Sequence, residues 1–272
     1  MEQNKLVTTS SRLISLPWLN IALSVFYLGL SAVLVFLPGG SVLDRLRWLD
    51  SGICAQLLTH SFYPGSERLP LCARNTGIYL GFVISLITLH LMGRGRSQQL
   101  PPWPIIVTLA VGVVALAVDG LNSLAVDLNL PHLYAPHNLI RLGTGLVTGL
   151  ALAALALPIL NQLFWHEYNE QRSISSWKML LLFVPILAIC FLVVASQSGI
   201  ALYPLALLST IGILTALSSV NLILIVAISR RNETFERYQQ LLPFFSLALA
   251  CTLGEMLALA QLKLVLFQAL GI

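Results

Sequence analysis

The chain has 272 residues, 57% of them hydrophobic and only 10% charged, with a formal net charge of +4. That balance excludes an ordinary soluble domain, and the small positive excess is explained below by where lysine and arginine fall, so no nucleic-acid partner is implied. A hydrocarbon layer about 30 Å thick takes roughly 20 apolar residues per helical crossing, and without period-two alternation the apolar runs predict an all-α polytopic bundle.

Seven spans are expected, at about 18–37, 72–92, 103–124, 138–163, 179–198, 201–228 and 242–270. The first follows Lys5 and Arg12 but is too long for a secretory signal. It ends in "LPGG" without a small-x-small cleavage site, so a retained helix is expected. The chain divides into an N-terminal membrane helix (1–37), a core with an outer loop and three membrane helices (38–163), and three further membrane helices (164–272).

In the loop after the first span, "SVLDRLRWLD" places Val42, Leu43, Leu46 and Leu49 on one helical face, which reads as a short interfacial helix on the outer leaflet, covering a polar cluster. Cys54, His60 and Cys72 follow. The two cysteines read as unpaired thiols or as a structural disulfide, and the absence of C-x-x-C argues against a catalytic redox pair.

The second and fourth spans share a pattern. "RNTGIYLG" supplies Arg74, Thr76, Gly77, Tyr79 and Gly81, and "RLGTGLVTG" supplies Arg141, Thr144, Gly145 and Gly149. Glycines four apart, Gly77 with Gly81 and Gly145 with Gly149, make a flat strip for close helix packing. An arginine inside the hydrocarbon costs about 2.5–3.5 kcal/mol on insertion scales and calls for a partner. Between these spans, Asp119 and Asn122 share a face near one end of the third. Asp127, His132 and His137 lie in the connection to the fourth, which Asn138 and Arg141 open.

Further along, Glu255 is an ionisable residue near the middle of the seventh span, with Lys263 two turns beyond it. Asn221 and Gln261 read as interhelical hydrogen-bonding groups, Cys190 and Cys251 as small apolar residues, and Trp18, Trp103 and Trp165 as interface anchors.

The basic residues orient the bundle. With the N-terminus inside, the inner segments hold Lys5, Arg12, Arg94, Arg96, Arg172, Lys178, Arg230, Arg231 and Arg237, while the outer side receives only Arg45, Arg47 and Arg68. N-inside and C-outside is therefore expected, which gathers the chemically capable residues of the first half at the outer face. A bacterial cytoplasmic membrane is the expected location.

"SGICAQLLTHSF", "LPLCARNTGIYLGF", and Asp119 followed by "PHNLIRLGTGLVTGL" together resemble a family of predicted prokaryotic membrane proteins, a domain of unknown function numbered 2085. Its pattern reads Cys-His-Gln, Arg-Ser-Phe, Leu-Pro-Leu-Cys-x-Arg-Cys-Thr-Gly-Ile-Tyr-x-Gly, then Asn-x-x-Arg-x-x-Thr-Gly. The resemblance covers about residues 51–150 and implies a multi-pass membrane protein without an assigned activity. The family's one histidine and three cysteines resemble the ligands of a closed zinc site. Here Cys54 and Cys72 match, but Ala55 stands at the histidine, Asn75 at the third cysteine, and His60 where the pattern has arginine. No metal is therefore expected, with Cys54, His60 and Cys72 the weak candidates, and the intact part of the pattern is an arginine site.

Motifs of metalloproteases, P-loops, nucleophile elbows and dinucleotide turns are lacking, and nothing calls for a cofactor. The leading expectation is binding or transport of an anionic lipid headgroup or small solute by Arg74, Asp119, Asn138 and Arg141, with Tyr79, Thr76 and Thr144 nearby. The alternatives are a membrane-embedded enzyme on a lipid-linked substrate, with a histidine or Asp119 as base, and a structural subunit of a membrane complex.

Overall fold

The computed structural model describes residues 38–270 together with Leu23, Val25, Phe26, Tyr27 and Gly29. Apart from those five positions, the expected first span lies outside the described residues. Among the described residues the regular structure is helical, with two isolated β-bridges at Gln99–Arg172 and Trp165–Phe235. The helices are α1 (Val42–Asp50), α2 (Ala73–Leu91), α3 (Trp103–Asp127), α4 (Asn138–Phe164), α5 (Trp177–Ala195), α6 (Leu202–Ile228) and α7 (Tyr238–Leu270).

Five of these, α3 to α7, are long and apolar enough to cross a membrane, α6 together with the turn from Gly199 that leads into it. Their ends fall within four residues of the expected spans. The remaining expected span is α2, a 19-residue helix that is not among the five. Its sequence explains this. The first turns carry Arg74, Asn75, Thr76 and Gly77, and half of the helix is buried against protein, so it needs no lipid-facing apolar surface on every side.

The burial of α2 rests on glycine. A Cβ on Gly77 would come 2.5 Å from the Leu142 carbonyl and 3.0 Å from Gly145 Cα, and one on Gly81 would come 2.5 Å from the Leu146 carbonyl. From the other side, a Cβ on Gly145 would meet the Arg74 carbonyl at 2.5 Å, and one on Gly149 would strike Ile78 and Phe82 backbone. The backbones of α2 and α4 therefore touch along two turns, the approach that small residues permit in membrane helices. Gly212 of α6 lies against the Tyr79 backbone in the same way, so α2 is held between α4 and α6.

Helix α1 is started by a capping box: Ser41 Oγ accepts from the Asp44 N–H at 3.2 Å and Asp44 Oδ2 accepts from the Ser41 N–H at 3.2 Å. Its apolar face meets protein rather than lipid, which corrects the expectation of an interfacial helix. Leu43 and Leu46 join the main core, and Leu49 packs with Ile213 of α6 and Leu253 and Met256 of α7. Val42, in the first turn, stays 53% exposed, while Asp50 takes a place on the buried face.

At the end of the bundle where α2 stops and α3 begins, the connections are tied by a polar network that the sequence reading did not anticipate. Asn161 donates to the carbonyls of Gly95 (3.0 Å) and Ser97 (2.8 Å) and accepts from the Trp165 indole at 2.8 Å. Gln98 bridges the Asn161 and Glu167 carbonyls, and the Arg96 guanidinium lies over the Trp165 ring. Side-chain amides that satisfy loop carbonyls in this way fix the loops against the helix end.

Candidate functional site

The opposite end, where α3 ends and α4 begins, carries the arginines. Helix α3 is a peripheral helix, and its buried residues near this end are all polar: Asp119, Asn122 and Ser123. They occupy spacings of three and four, so one face of α3 delivers a carboxylate, an amide and a hydroxyl toward α2 and α4.

Arg74 of α2 donates to Asp119 Oδ2 at 2.7 Å, to the Asp119 carbonyl at 3.2 Å and to Ser123 Oγ at 3.1 Å. The other carboxylate oxygen, Oδ1, accepts from the Tyr134 hydroxyl at 2.9 Å. Both Asp119 carboxylate oxygens are thus engaged, with the side chain 1% exposed. Arg141 of α4 donates to Ser123 Oγ from Nε and one terminal nitrogen, both at 3.3 Å, and to Asn138 Oδ1 at 2.8 Å. Although 4% exposed, Arg141 makes no ion pair with a carboxylate among the described residues. Two guanidinium groups therefore converge on one hydroxyl oxygen with one carboxylate between them, and Arg74 Nε is buried without a hydrogen-bond partner.

The loop before α2 closes the site from above. Asn138 donates to the carbonyls of Thr59 and Ser61, each at 3.2 Å, and so grips the backbone on both sides of His60. His60 Nε2 lies 3.4 Å from Asp127 Oδ1. Burial, aided by the charges of Arg141 and Arg74, holds the imidazole below its ordinary range against the opposing pull of Asp127. Asn122 organises the connection that brings Tyr134 in: its Oδ1 accepts from Leu133 N–H at 2.7 Å and its amide donates to the Tyr134 carbonyl at 2.9 Å.

The other expected site residues lie apart from this group. Thr76 donates to the Leu71 carbonyl, and Thr144 back-bonds to the carbonyls of Ile140 and Arg141. His137 caps α4, its ring nitrogen accepting from the Leu139 N–H at 3.2 Å, and His132 is exposed. Tyr79 sits on the far side of α2, among Cys54, Asp50 and Cys72. Cys54 and Cys72 are free thiols that adjoin each other, whereas His60 belongs to the arginine group, so the weak metal candidates are divided between two places. Among the described residues no three histidine, cysteine or acidic side chains are placed to hold a metal ion. Glu255 accepts from Asn221 at 3.0 Å, and Lys263 reaches the carbonyls of Ser51, Cys54 and Ala55 instead of Glu255.

Ser123 and Tyr134 were missed from sequence. Ser123 lies four residues after Asp119 and could have been found by extending the Asp119–Asn122 face by one position. Asp50, fully buried, accepts from Thr210 of α6 at 2.8 Å while its other oxygen has no partner. Burial pushes its carboxyl up to about 7, against the Thr210 hydrogen bond. A cavity of about 230 Å³ lies between α1 and α7, lined by Arg47, Trp48, Gln56, Lys263 and Phe267 among others, and does not include the arginine pair.

Residues 54–155, which contain α2, α3, both arginines, Asp119 and the two adjoining cysteines, match the model of a family described as Predicted membrane protein (DUF2085). The resemblance expected for residues 51–150 is thereby met. The chain is also similar to an uncharacterised protein of Methanocaldococcus jannaschii, 24% identical over 157 residues, which cover 55% of this chain and 94% of that protein. No solved structure matches.

Proposed function

We propose that this membrane protein binds an anionic group, carried by a lipid headgroup or a small solute, at the end of the bundle where Arg74 and Arg141 meet. The observation that carries the reading is the charge imbalance at Ser123. A buried guanidinium without a direct ion pair is costly, and the neutral Ser123 and Asn138 orient Arg141 while Asp119 and Asp127 act on it only from farther away. A phosphate or carboxylate beside the pair would supply the missing charge and could accept bidentate hydrogen bonds. In our reading the chain crosses a bacterial cytoplasmic membrane seven times with the N-terminus inside, which puts the site at the outer face, and site occupancy either stores the ligand or gates its passage.

The test uses purified protein in nanodiscs. Inorganic phosphate in one arm and phosphatidic acid in the membrane in the other should raise the unfolding temperature of the wild type, and whichever acts identifies the source. Arg141→Gln should lose that response while remaining folded. An equal response in wild type and variant, or none in either arm, overturns the reading.

His60 favours a second reading. A neutral imidazole against Asp127 and next to two arginines has the parts of a general base beside a phosphate clamp, which suits an enzyme acting on a lipid-linked phosphate ester. Turnover of such lipids that His60→Gln abolishes without weakening phosphate binding would select this reading over simple binding.

A further inference from the structure

The arginine site leaves unused a second constellation on the opposite side of α2. Cys54 ends the turn after α1, and Cys72 is the residue that precedes the first turn of α2. The Cys72 backbone N–H donates to Cys54 Sγ at 3.3 Å. The Gln56 backbone, the Asn75 side chain and the Cys72 thiol also lie beside this sulfur. Cys54 is 3% exposed and Cys72 half-buried, with Asp50, Tyr79 and Lys263 around them.

A sulfur that accepts a backbone N–H at the start of a 19-residue helix is stabilised as an anion, because the donor and the helix dipole favour charge on it. The Cys54 thiol is accordingly drawn down to about 6, first by the hydrogen bond from the Cys72 thiol. Cys190, by contrast, is buried among apolar side chains, and Cys251 is exposed on α7. A thiol poised to ionise beside a second free thiol is the arrangement of an attacking cysteine and its resolving partner.

We propose that Cys54 and Cys72 form a dithiol site that is oxidised by peroxide to a disulfide, with Cys54 attacking and Cys72 resolving. The burial of Cys54 suits an oxidant the size of hydrogen peroxide rather than a protein disulfide. The Cys54 thiolate attacks one peroxide oxygen, forming a sulfur–oxygen bond as the oxygen–oxygen bond breaks, and releases hydroxide. The Cys72 thiol then attacks the sulfenic sulfur, the sulfur–oxygen bond breaks, and its hydroxyl leaves as water with the Cys72 proton. Two sulfurs are oxidised by one electron each, and the peroxide is reduced to hydroxide and water. The bond closes the segment from 54 to 72, which carries His60 and the Thr59 and Ser61 carbonyls that Asn138 holds.

Full-length protein in nanodiscs, treated with hydrogen peroxide, alkylated and digested, tests this. The expected product is a peptide pair linked through Cys54 and Cys72, an intact mass lower by two hydrogens, and full reversal by dithiothreitol, while Cys251 remains alkylatable. In Cys72→Ser, oxidation should stop at a Cys54 sulfenic acid that dimedone captures. Cys54 and Cys72 that stay alkylatable at peroxide levels that oxidise Cys251 overturn the proposal. So does a Cys54 sulfinic acid formed while Cys72 remains free, or a Cys72→Ser protein that dimedone does not label at Cys54.

Discussion

Arg74 and Arg141, 67 positions apart on separate helices, donate to the same oxygen, Ser123 Oγ, at 3.1 and 3.3 Å. Like charges at such separation repel strongly in a poorly solvated site, and Asp119 makes a direct ion pair with only one of them, while it and Asp127 act on Arg141 from farther away. The imbalance yields a direct test by charge replacement. In Ser123→Asp, the second carboxylate should take the place of the proposed anion. The variant is expected to unfold at a higher temperature than wild type in anion-free buffer and to show no further stabilisation by phosphate. Scanning fluorimetry of the two proteins with and without phosphate measures both effects.

Asp50 gives a prediction in the pH dependence of stability. The buried carboxyl keeps its proton up to about 7, whereas in the unfolded chain it releases it near 3.8. The stability it contributes is complete below the unfolded value and is lost as pH rises through about 7. Asp50→Asn, which resembles the protonated acid and still accepts from Thr210, should be more stable than wild type at pH 8 and similar to it at pH 4. Unfolding temperatures across that range provide the comparison.

His60 shifts in the other sense. Its imidazole is held below the ordinary value of 6.5, so between the folded and unfolded values the unfolded chain binds more protons. Its contribution is present above 6.5 and is lost as pH falls through the lowered folded value. His60→Gln should remove this acid-side loss, leaving a flatter stability profile below pH 6.5, read by the same thermal scans.

The glycine contacts predict a position-specific cost. Gly77→Ala places a methyl against the Leu142 carbonyl and Gly145, both backbone, so the helices must separate; a loss of about 1–3 kcal/mol is expected. Gly143→Ala, whose Cβ would meet only the Phe191 ring at 3.7 Å, should be close to neutral. Chemical denaturation of both variants in detergent separates the two outcomes.

The helices were legible because their apolar runs are long and uninterrupted, and α3 to α7 appear with nearly the expected ends. The role of α1 was not, because an amphipathic face with leucines at helical spacing fits a lipid surface and a protein groove equally well. The packing of Leu43 and Leu46 in the main core and of Leu49 against Ile213 and Met256 distinguishes them. The arginines and Asp119 stood out as charges in apolar surroundings. Ser123 and Tyr134 did not, since a serine in a membrane helix and a tyrosine in a loop are ordinary until tertiary structure aims them at a carboxylate. Tyr79 looked like a neighbour of Arg74 from sequence spacing, yet five residues along a helix turn a side chain away, and it belongs with the cysteines.

The direct backbone contact of α2 with α4 also bears on how the site can change. Where helices meet through side chains, rotamer shifts let one slide or tilt and so retune what it carries. Here the seam is backbone on backbone at Gly77, Gly81, Gly145 and Gly149, and Arg74 and Arg141 spring from a spine whose spacing at those positions is set by carbonyls and α-carbons. The distance between the roots of the two arginine side chains is thus held by a ruler of backbone. Movement at this end has to come from the parts outside those contacts: the loop gripped by Asn138 and the peripheral helix that presents Ser123.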